Sequence, residues 1–481
     1  MNKWSLDIQE FGKIKNASIE VSPFMIFVGD NNSGKSYIME LLWAIIKEAD
    51  QIVNSLKSIP EYNDYLIEQV EPNFPTKISA EVQKELLNFF NKALEIKKVE
   101  FIKQIFNYDL NASNIRIKRN EYPNIHFETS LEKRAVVLDT NLEENDIEQY
   151  IKTSIFVDND KISSFMVRQI DGNIIPAERI LHLVYTRVIL YLIRKDYYKM
   201  YTTNPFRSLS QSREPLYLPA SRTGFMLTYR AIIGNQRANA NDLDEVDLEI
   251  TDRHQNFQIA GTNLTLPTIL YLEKLQKLNL DNDNMSIYQE EIKFLSENIL
   301  EGNVHKDSFE QYEFVPKEAG KGIPLHVTSS LVSELAPIVM FLNSSFDPDL
   351  WIIEEIESHL HPKIQLEVAR FLVRLFNKQK SIWITTHSDS LMQKINNLIT
   401  LSSRNDKGRI LEALEYSKDD IFQNVEEISA YQFQTNNGTT CVEKLELESY
   451  GFEISSFNST LEKLILETSE IQNLSLGENE A

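Results

Sequence analysis

The chain has 481 residues, 42% of them hydrophobic and 25% charged, with 14 Gly and 15 Pro, the composition of a folded globular protein and not of a disordered chain. Its 49 Lys and Arg stand against 71 Asp and Glu, a net charge of −22, which excludes a polybasic coat for nucleic acid or anionic lipid. One cysteine, Cys441, excludes an internal disulfide and fits a reducing cytosol.

The first ten residues, with Trp4, Asp7 and Glu10 among them, lack the basic start and apolar stretch of a secretory signal, so a cytoplasmic location is expected. Trp4, Leu6 and Ile8 alternate with polar residues. After a turn near Gly12, Ile14, Ala17, Ile19 and Val21 do the same, which predicts a half-buried hairpin. Residues 24–28 are apolar throughout, as a central strand covered on both faces requires, and residues 37–46 read as a helix.

Between them lies Gly29-Asp30-Asn31-Asn32-Ser33-Gly34-Lys35-Ser36, a full match to the phosphate-binding loop G-x-x-x-x-G-K-[ST] in the strand-to-helix context that confirms it. Gly29 and Gly34 let successive backbone N–H groups converge on phosphate oxygens at the positive end of the new helix. Lys35 is placed for the β- and γ-phosphates of ATP and the Ser36 hydroxyl for Mg²⁺. The competing reading is a glycine-containing surface turn.

Residues 49–215 turn to long helical segments with strand-like patches near 115–117 and 155–157. The clearest helix has Ser79 as N-cap and Val82, Leu86, Phe89, Phe90 and Ala93 on one face. The apolar stretch 180–193, broken by His182 and Arg187, is too short to span a bilayer and reads as a buried helix. From Arg179 to Ala240, ten Lys and Arg meet only Asp196 and Glu214, with Tyr191, Tyr197, Tyr198, Tyr201 and Tyr229 interleaved. Such a segment either contacts DNA or RNA or pairs its arginines with acids elsewhere or with ATP. A helix over 268–278 follows Pro267 and ends in a polar loop at 279–284.

From residue 324 sheet and helix alternate: a buried strand 350–353, a helix 362–377, a strand 381–385, and strands 428–433 and 439–447 flanking the hairpin signal Asn437-Gly438. Glu354 and Glu355 follow the first strand directly. One can supply the metal-side acid, Glu354, and the other the residue that polarises water, Glu355. His387 ends the next strand, where an imidazole can meet the γ-phosphate or the attacking water.

The loop, Ile352-Ile353-Glu354-Glu355-Ile356-Glu357-Ser358-His359-Leu360-His361-Pro362 and Thr385-Thr386-His387-Ser388 together resemble the ABC-type ATPase heads of the RecF, SMC and OLD group. In that group the order is strand, Asp-Glu-Pro-Glu, Leu-His-Pro and Thr-His-Ser, and Asn31-Asn32-Ser33 is typical of its loop. The resemblance implies an α/β P-loop NTPase: an ABC-type head with a mixed sheet flanked by helices, interrupted by a large, mainly helical insertion. The implied organisation is a head segment 1–48, the insertion 49–215, a return segment with a helical lobe 216–322, and the second head segment 323–481. The 319 residues from Lys35 to Glu354 set it apart from transporter subunits.

The resemblance further implies that Gly29, Asn31, Asn32, Ser33, Gly34, Lys35 and Ser36 hold ATP, that Ser36 and Glu354 hold Mg²⁺, and that Glu355 and His387 are catalytic. Thr328-Ser329-Ser330-Leu331-Val332-Ser333-Glu334-Leu335 stands where the group has its signature helix, so Ser330 would reach the nucleotide of a second protomer. Leu331 replaces the signature Gly and Glu354 the usual Asp. Leu218-Pro219-Ala220-Ser221-Arg222 looks like a Pro-Ala-x-Arg segment of bacterial ATPases of this type, with Arg222 as a phosphate contact. The expected function is a homodimeric or larger ATPase, without membrane contact, that controls a separately encoded toxin or nuclease in antiviral defence. A DNA-repair ATPase of RecF or SMC type and a non-hydrolysing nucleotide sensor are the alternatives.

Overall fold

The computed structural model describes residues 3–70, 76–135, 147–158, 160–168, 176–194, 214–228, 264–278, 285–306, 312–318, 320–455 and 463–471. Alternating apolar residues build the first two strands, β1 (Trp4–Phe11) and β2 (Ile14–Glu20), an antiparallel hairpin in which Leu6 lies opposite Ile19. Strand β3 (Phe24–Gly29) is buried at all six residues. Its side chains alternate between two cores: Met25 and Phe27 join the cluster that includes the Lys35–Lys47 helix, while Phe24, Ile26 and Val28 join the cluster of the C-terminal helices.

Within 49–215, helices Ala49–Asn54, Pro60–Val70, Ala80–Phe106 and Ala177–Arg194 accompany β4 (Lys77–Ile78), β5 (Asn114–Arg119), β6 (Ile125–Ala135), β7 (Ile147–Val157) and β8 (Asp160–Arg168). Strands β4, β6, β7 and β8 make a separate antiparallel sheet in that order, and β5 pairs with β1 instead. Ser79 caps the long helix by accepting a hydrogen bond from Val82 N at 3.3 Å, and Leu86, Phe89, Phe90 and Ala93 are buried beneath it. The helix Ala177–Arg194 is buried along most of its length. Among the described residues no helix is long and apolar enough to cross a membrane.

After β9 (Leu216–Leu218) come the helices Leu266–Lys277 and Met285–Leu295 and the small sheet β10 (Gly302–Lys306), β11 (Tyr312–Pro316) and β12 (Ile323–Pro324), from which Tyr271, Leu275, Tyr288, Val304 and Phe314 join the cluster of the C-terminal helices. The predicted polar loop 279–284 lies outside the described residues. Strands β13 (Leu350–Ile353), β14 (Ser381–Thr386), β15 (Ile428–Asn436) and β16 (Thr439–Leu445) alternate with helices Ser330–Leu342, Pro362–Asn377 and Asp389–Ser402. The hairpin β15–β16 closes through Asn437-Gly438, with Asn436 opposite Thr439.

The main sheet has nine strands in the order β5-β1-β2-β16-β15-β3-β14-β13-β9. Its part from β15 to β9 is parallel throughout. The carboxyl ends of β3, β14, β13 and β9 therefore emerge side by side at one edge, where open α/β sheets bind ligands.

Candidate functional site

At that edge the chain leaves β3 through Gly29, whose φ of 138° is open to glycine. An added Cβ there would stand 2.1 Å from the Phe433 carbonyl oxygen of β15. Gly34 (φ 93°) then starts the helix Lys35–Lys47. Asn31 and Asn32 are exposed on the loop while Ser33 and Lys35 are buried. Lys35 Nζ donates to the carbonyls of Gly29 at 3.0 Å and Asp30 at 2.7 Å, and to Ser33 Oγ at 3.3 Å. Burial lowers the Lys35 ammonium to about 8, against the pull of Glu355, Asp30, Glu357 and Glu354.

Glu354 and Glu355 follow β13 and have different surroundings. Glu354 is 5% exposed. Its backbone N–H donates to Leu218 O at 2.9 Å and its Oε2 accepts from Ala220 N at 3.2 Å. Burial pushes its carboxyl above the usual range, offset in part by the Ser36 and Tyr217 hydroxyls turned towards it. Its Oε1 is nevertheless buried without a well-formed hydrogen bond among the described residues, as is the Tyr217 hydroxyl. Glu355 is half-buried and stands at φ 41°, with its N–H donating to Thr385 Oγ1 at 2.9 Å. Its Oε1 is 3.5 Å from His387 Nε2, and Ser358 Oγ donates to its Oε2 at 3.1 Å. The His387 contact leads the effects that hold its carboxyl below the usual range, so it is ionised at neutral pH.

His387 follows β14, and its backbone N–H donates to Glu357 Oε1 at 2.5 Å. The loop, Glu354, Glu355 and His387 thus come together from three adjacent parallel strands. Ser329 caps the helix Ser330–Leu342, accepting from Val332 N at 3.5 Å, and both serines are exposed at its start.

Two further buried residues bear on the site, Glu40, which no motif announces, and Arg222. Glu40, one turn beyond Ser36, is buried in an otherwise apolar run, accepts from Thr265 Oγ1 at 2.8 Å, and is pushed up to about 8 by burial and then by Glu354. An acid inside an apolar helical run is the signal that could have found it. Arg222, read from sequence as a phosphate contact, is 0% exposed and spends its guanidinium on backbone carbonyls and Glu334. The fork matches fixed acceptors inside the protein, and a phosphate could not reach it there. Of the basic segment, Arg194 is buried against Ile46 O and Asp50, and Arg187 lies over the Phe165 ring. Lys195, Lys199, Arg207, Arg213, Arg230 and Arg237 lie outside the described residues.

Compared with known proteins, residues 1–392 match the family described as AAA ATPase domain. No curated protein matches the chain. Among solved structures, the SmcHead bound to the C-winged helix domain of ScpA aligns at 12% identity and a TM-score of 0.36, covering 92% of this chain and 98% of that one. The SMC head domain from Thermotoga maritima aligns at 10% identity and 0.31, covering 92% and 99%. A Pyrococcus furiosus Smc head with an extended coiled coil, bound to the C-terminal domain of ScpA, aligns at 12% and 0.33, covering 98% and 100%.

Proposed function

This chain belongs to the AAA ATPase domain family, and from that premise we propose that it binds ATP with Mg²⁺, closes on it as a head-to-tail homodimer and hydrolyses it. One observation carries the reading: a complete phosphate-binding loop, a buried acid and an ionised acid 3.5 Å from an imidazole sit at the ends of neighbouring parallel strands.

The residues fit the metal. Glu354 Oε1 is a buried carboxylate oxygen lacking a well-formed hydrogen bond, and the Ser36 hydroxyl is turned to the same carboxyl. These are the hard oxygen donors Mg²⁺ prefers. Bound there, the ion would neutralise charge on the β- and γ-phosphate oxygens.

The chain's own groups do the rest. The loop N–H groups and the Lys35 ammonium would take the phosphates, Lys35 exchanging the carbonyls it now holds for phosphate oxygens. Glu355, held ionised and fixed by Thr385 and Ser358, would orient and deprotonate the attacking water. His387, 3.5 Å from that carboxylate, would contact the γ-phosphate or the attacking water. The exposed Ser329–Ser330 helix start would meet the partner's nucleotide.

The test is steady-state phosphate release and ATP binding in the parent chain, Lys35→Ala and Glu355→Gln. Lys35→Ala is expected to lose binding. Glu355→Gln is expected to keep it and lose about 100-fold or more in turnover. Turnover unaffected by both substitutions would overturn the hydrolytic reading, and binding without turnover in the parent would leave a nucleotide sensor. Control of a separately encoded effector in antiviral defence extends this reading by analogy. A toxin or nuclease retained by Glu355→Gln in ATP, and released in the parent after hydrolysis, is the expected result. DNA retained in its place would favour the repair reading.

A further inference from the structure

The fold ties the signature-like helix to the acids of the same protomer through one arginine. Arg222 Nη1 donates to Glu354 O at 2.7 Å, and Nη2 lies 3.4 Å from each of the carbonyls of Glu355 and Ile356. The same guanidinium donates from Nε to Glu334 O at 3.2 Å and pairs with Glu334 Oε2 at 3.1 Å. Glu334 is 2% exposed and lies one turn inside the helix that begins at Ser330. One planar, fully buried fork therefore grips both the helix that would receive the partner's nucleotide and the left-handed peptide at Glu355. A fork of this geometry can pass displacement between its two sets of acceptors because the Arg222 side chain is itself fully buried and held at both ends.

We propose that Arg222 and Glu334 form a positioning pair that couples contact at Ser330 to the placement of Glu355 in the same protomer, so that the two nucleotide sites of the dimer act on each other. The inference rests on the proposed ATP-driven dimer. Pressure of the partner's phosphate on the Ser330 helix start moves Glu334. Arg222 carries that movement to the backbone of Glu354, Glu355 and Ile356. Since each protomer's helix serves the other's nucleotide, occupation of one site sets the acid of the other.

A mixing experiment reads this without disturbing the buried pair. Full-length parent protomers and Ser330→Arg protomers are combined in equal amounts, and turnover is compared with the parent's. Independent sites give about one half of the parent rate because half the composite sites are intact, whereas coupled sites give about one quarter because only parent–parent dimers turn over. We expect one quarter. In chains that all carry Glu334→Gln the same mixture is expected to rise to about one half of that variant's own rate, with ATP binding unchanged within about twofold. Arg222→Lys, which keeps the charge but not the fork, is expected to behave as Glu334→Gln does.

One half in the parent mixture overturns the coupling. So does one quarter that persists in both clamp variants. A merely structural brace would lower the melting temperature of the variants and leave these ratios unmoved. A parent chain that neither dimerises nor turns over ATP overturns the dimeric ATPase reading itself, whereas a parent that does both and mixes to one half overturns the coupling alone.

Discussion

At the scale of single residues, the chemistry of the site depends on small differences in surroundings. Glu354 and Glu355 are neighbours in sequence, yet burial raises one carboxyl and an imidazole lowers the other, so adjacent acids have different protonation behaviour. Gly29 shows how little room the loop entrance leaves. With the Phe433 carbonyl oxygen 2.1 Å from where a side-chain methyl would stand, Gly29→Ala is expected to cost roughly 2–4 kcal/mol and to weaken nucleotide binding; equal stability by denaturant melting would contradict this. His182 carries a pH dependence. Burial, and after it Lys57, depresses its imidazole from 6.5 to about 4, and it shares a hydrogen bond of 2.9 Å with the Tyr62 hydroxyl. The unfolded chain then binds a proton near pH 6.5 that the folded chain refuses until about 4. Stability present above 6.5 falls as the pH drops through that window, by on the order of 2 kcal/mol. His182→Gln is expected to flatten this slope in urea titrations run between pH 4 and 7, and an unchanged slope would rule His182 out. Lys35, Ser36, Glu354 and Glu355 could be singled out in the sequence because each sits in a short motif directly after an apolar strand, and the structure brings those strand ends together. Arg222 was named from its Pro-Ala-Ser-Arg segment but not its partners Glu334 and the Glu354 carbonyl, and Glu40 was not named at all, because such partners lie far away along the chain and only folding brings them near.

At the scale of elements, legibility followed the strength of the local pattern. β3 and β13 are unbroken apolar runs, and Asn437-Gly438 allows only a tight hairpin, so these elements emerged where expected. β6 reads Ile-His-Phe-Glu-Thr-Ser-Leu-Glu-Lys-Arg-Ala, with charged residues crowding its second half. Its pairing with β7, Phe127 opposite Ile155 and Ser130 opposite Lys152, is what makes it a strand. Such tertiary pairing overrides a weak local signal. The helix Ala80–Phe106 is the opposite case, announced by its cap and its stripe. Ser79→Ala removes the hydroxyl that accepts from Val82 N and is expected to lower stability by about 1 kcal/mol in chemical denaturation. A change near zero would show that the tertiary packing of Leu86, Phe90 and Leu94 fixes the helix start without help.

At the scale of the whole molecule, the proposed dimer would bring together two protomers that each carry −22 around ATP, which adds further negative charge. Arg187 and Arg194 do not offset this as free surface charge, since one lies over Phe165 and the other is bound to Asp50 and Ile46. Long-range repulsion between like-charged bodies is screened by salt, with a Debye length of about 30 Å at 0.01 M and about 8 Å at 0.15 M. In the proposed dimer, contacts of phosphate with loop N–H groups and with a helix start would be short and enclosed, and would be screened much less. Raising salt over that range should therefore relieve the repulsion more than it weakens the closing contacts. For Glu355→Gln held in ATP, sedimentation is expected to show dimer dissociation constants that fall several-fold from about 0.01 to about 0.15 M salt. A constant that rises with salt would mean that complementary charge at the interface, and not enclosed phosphate contact, holds the protomers together.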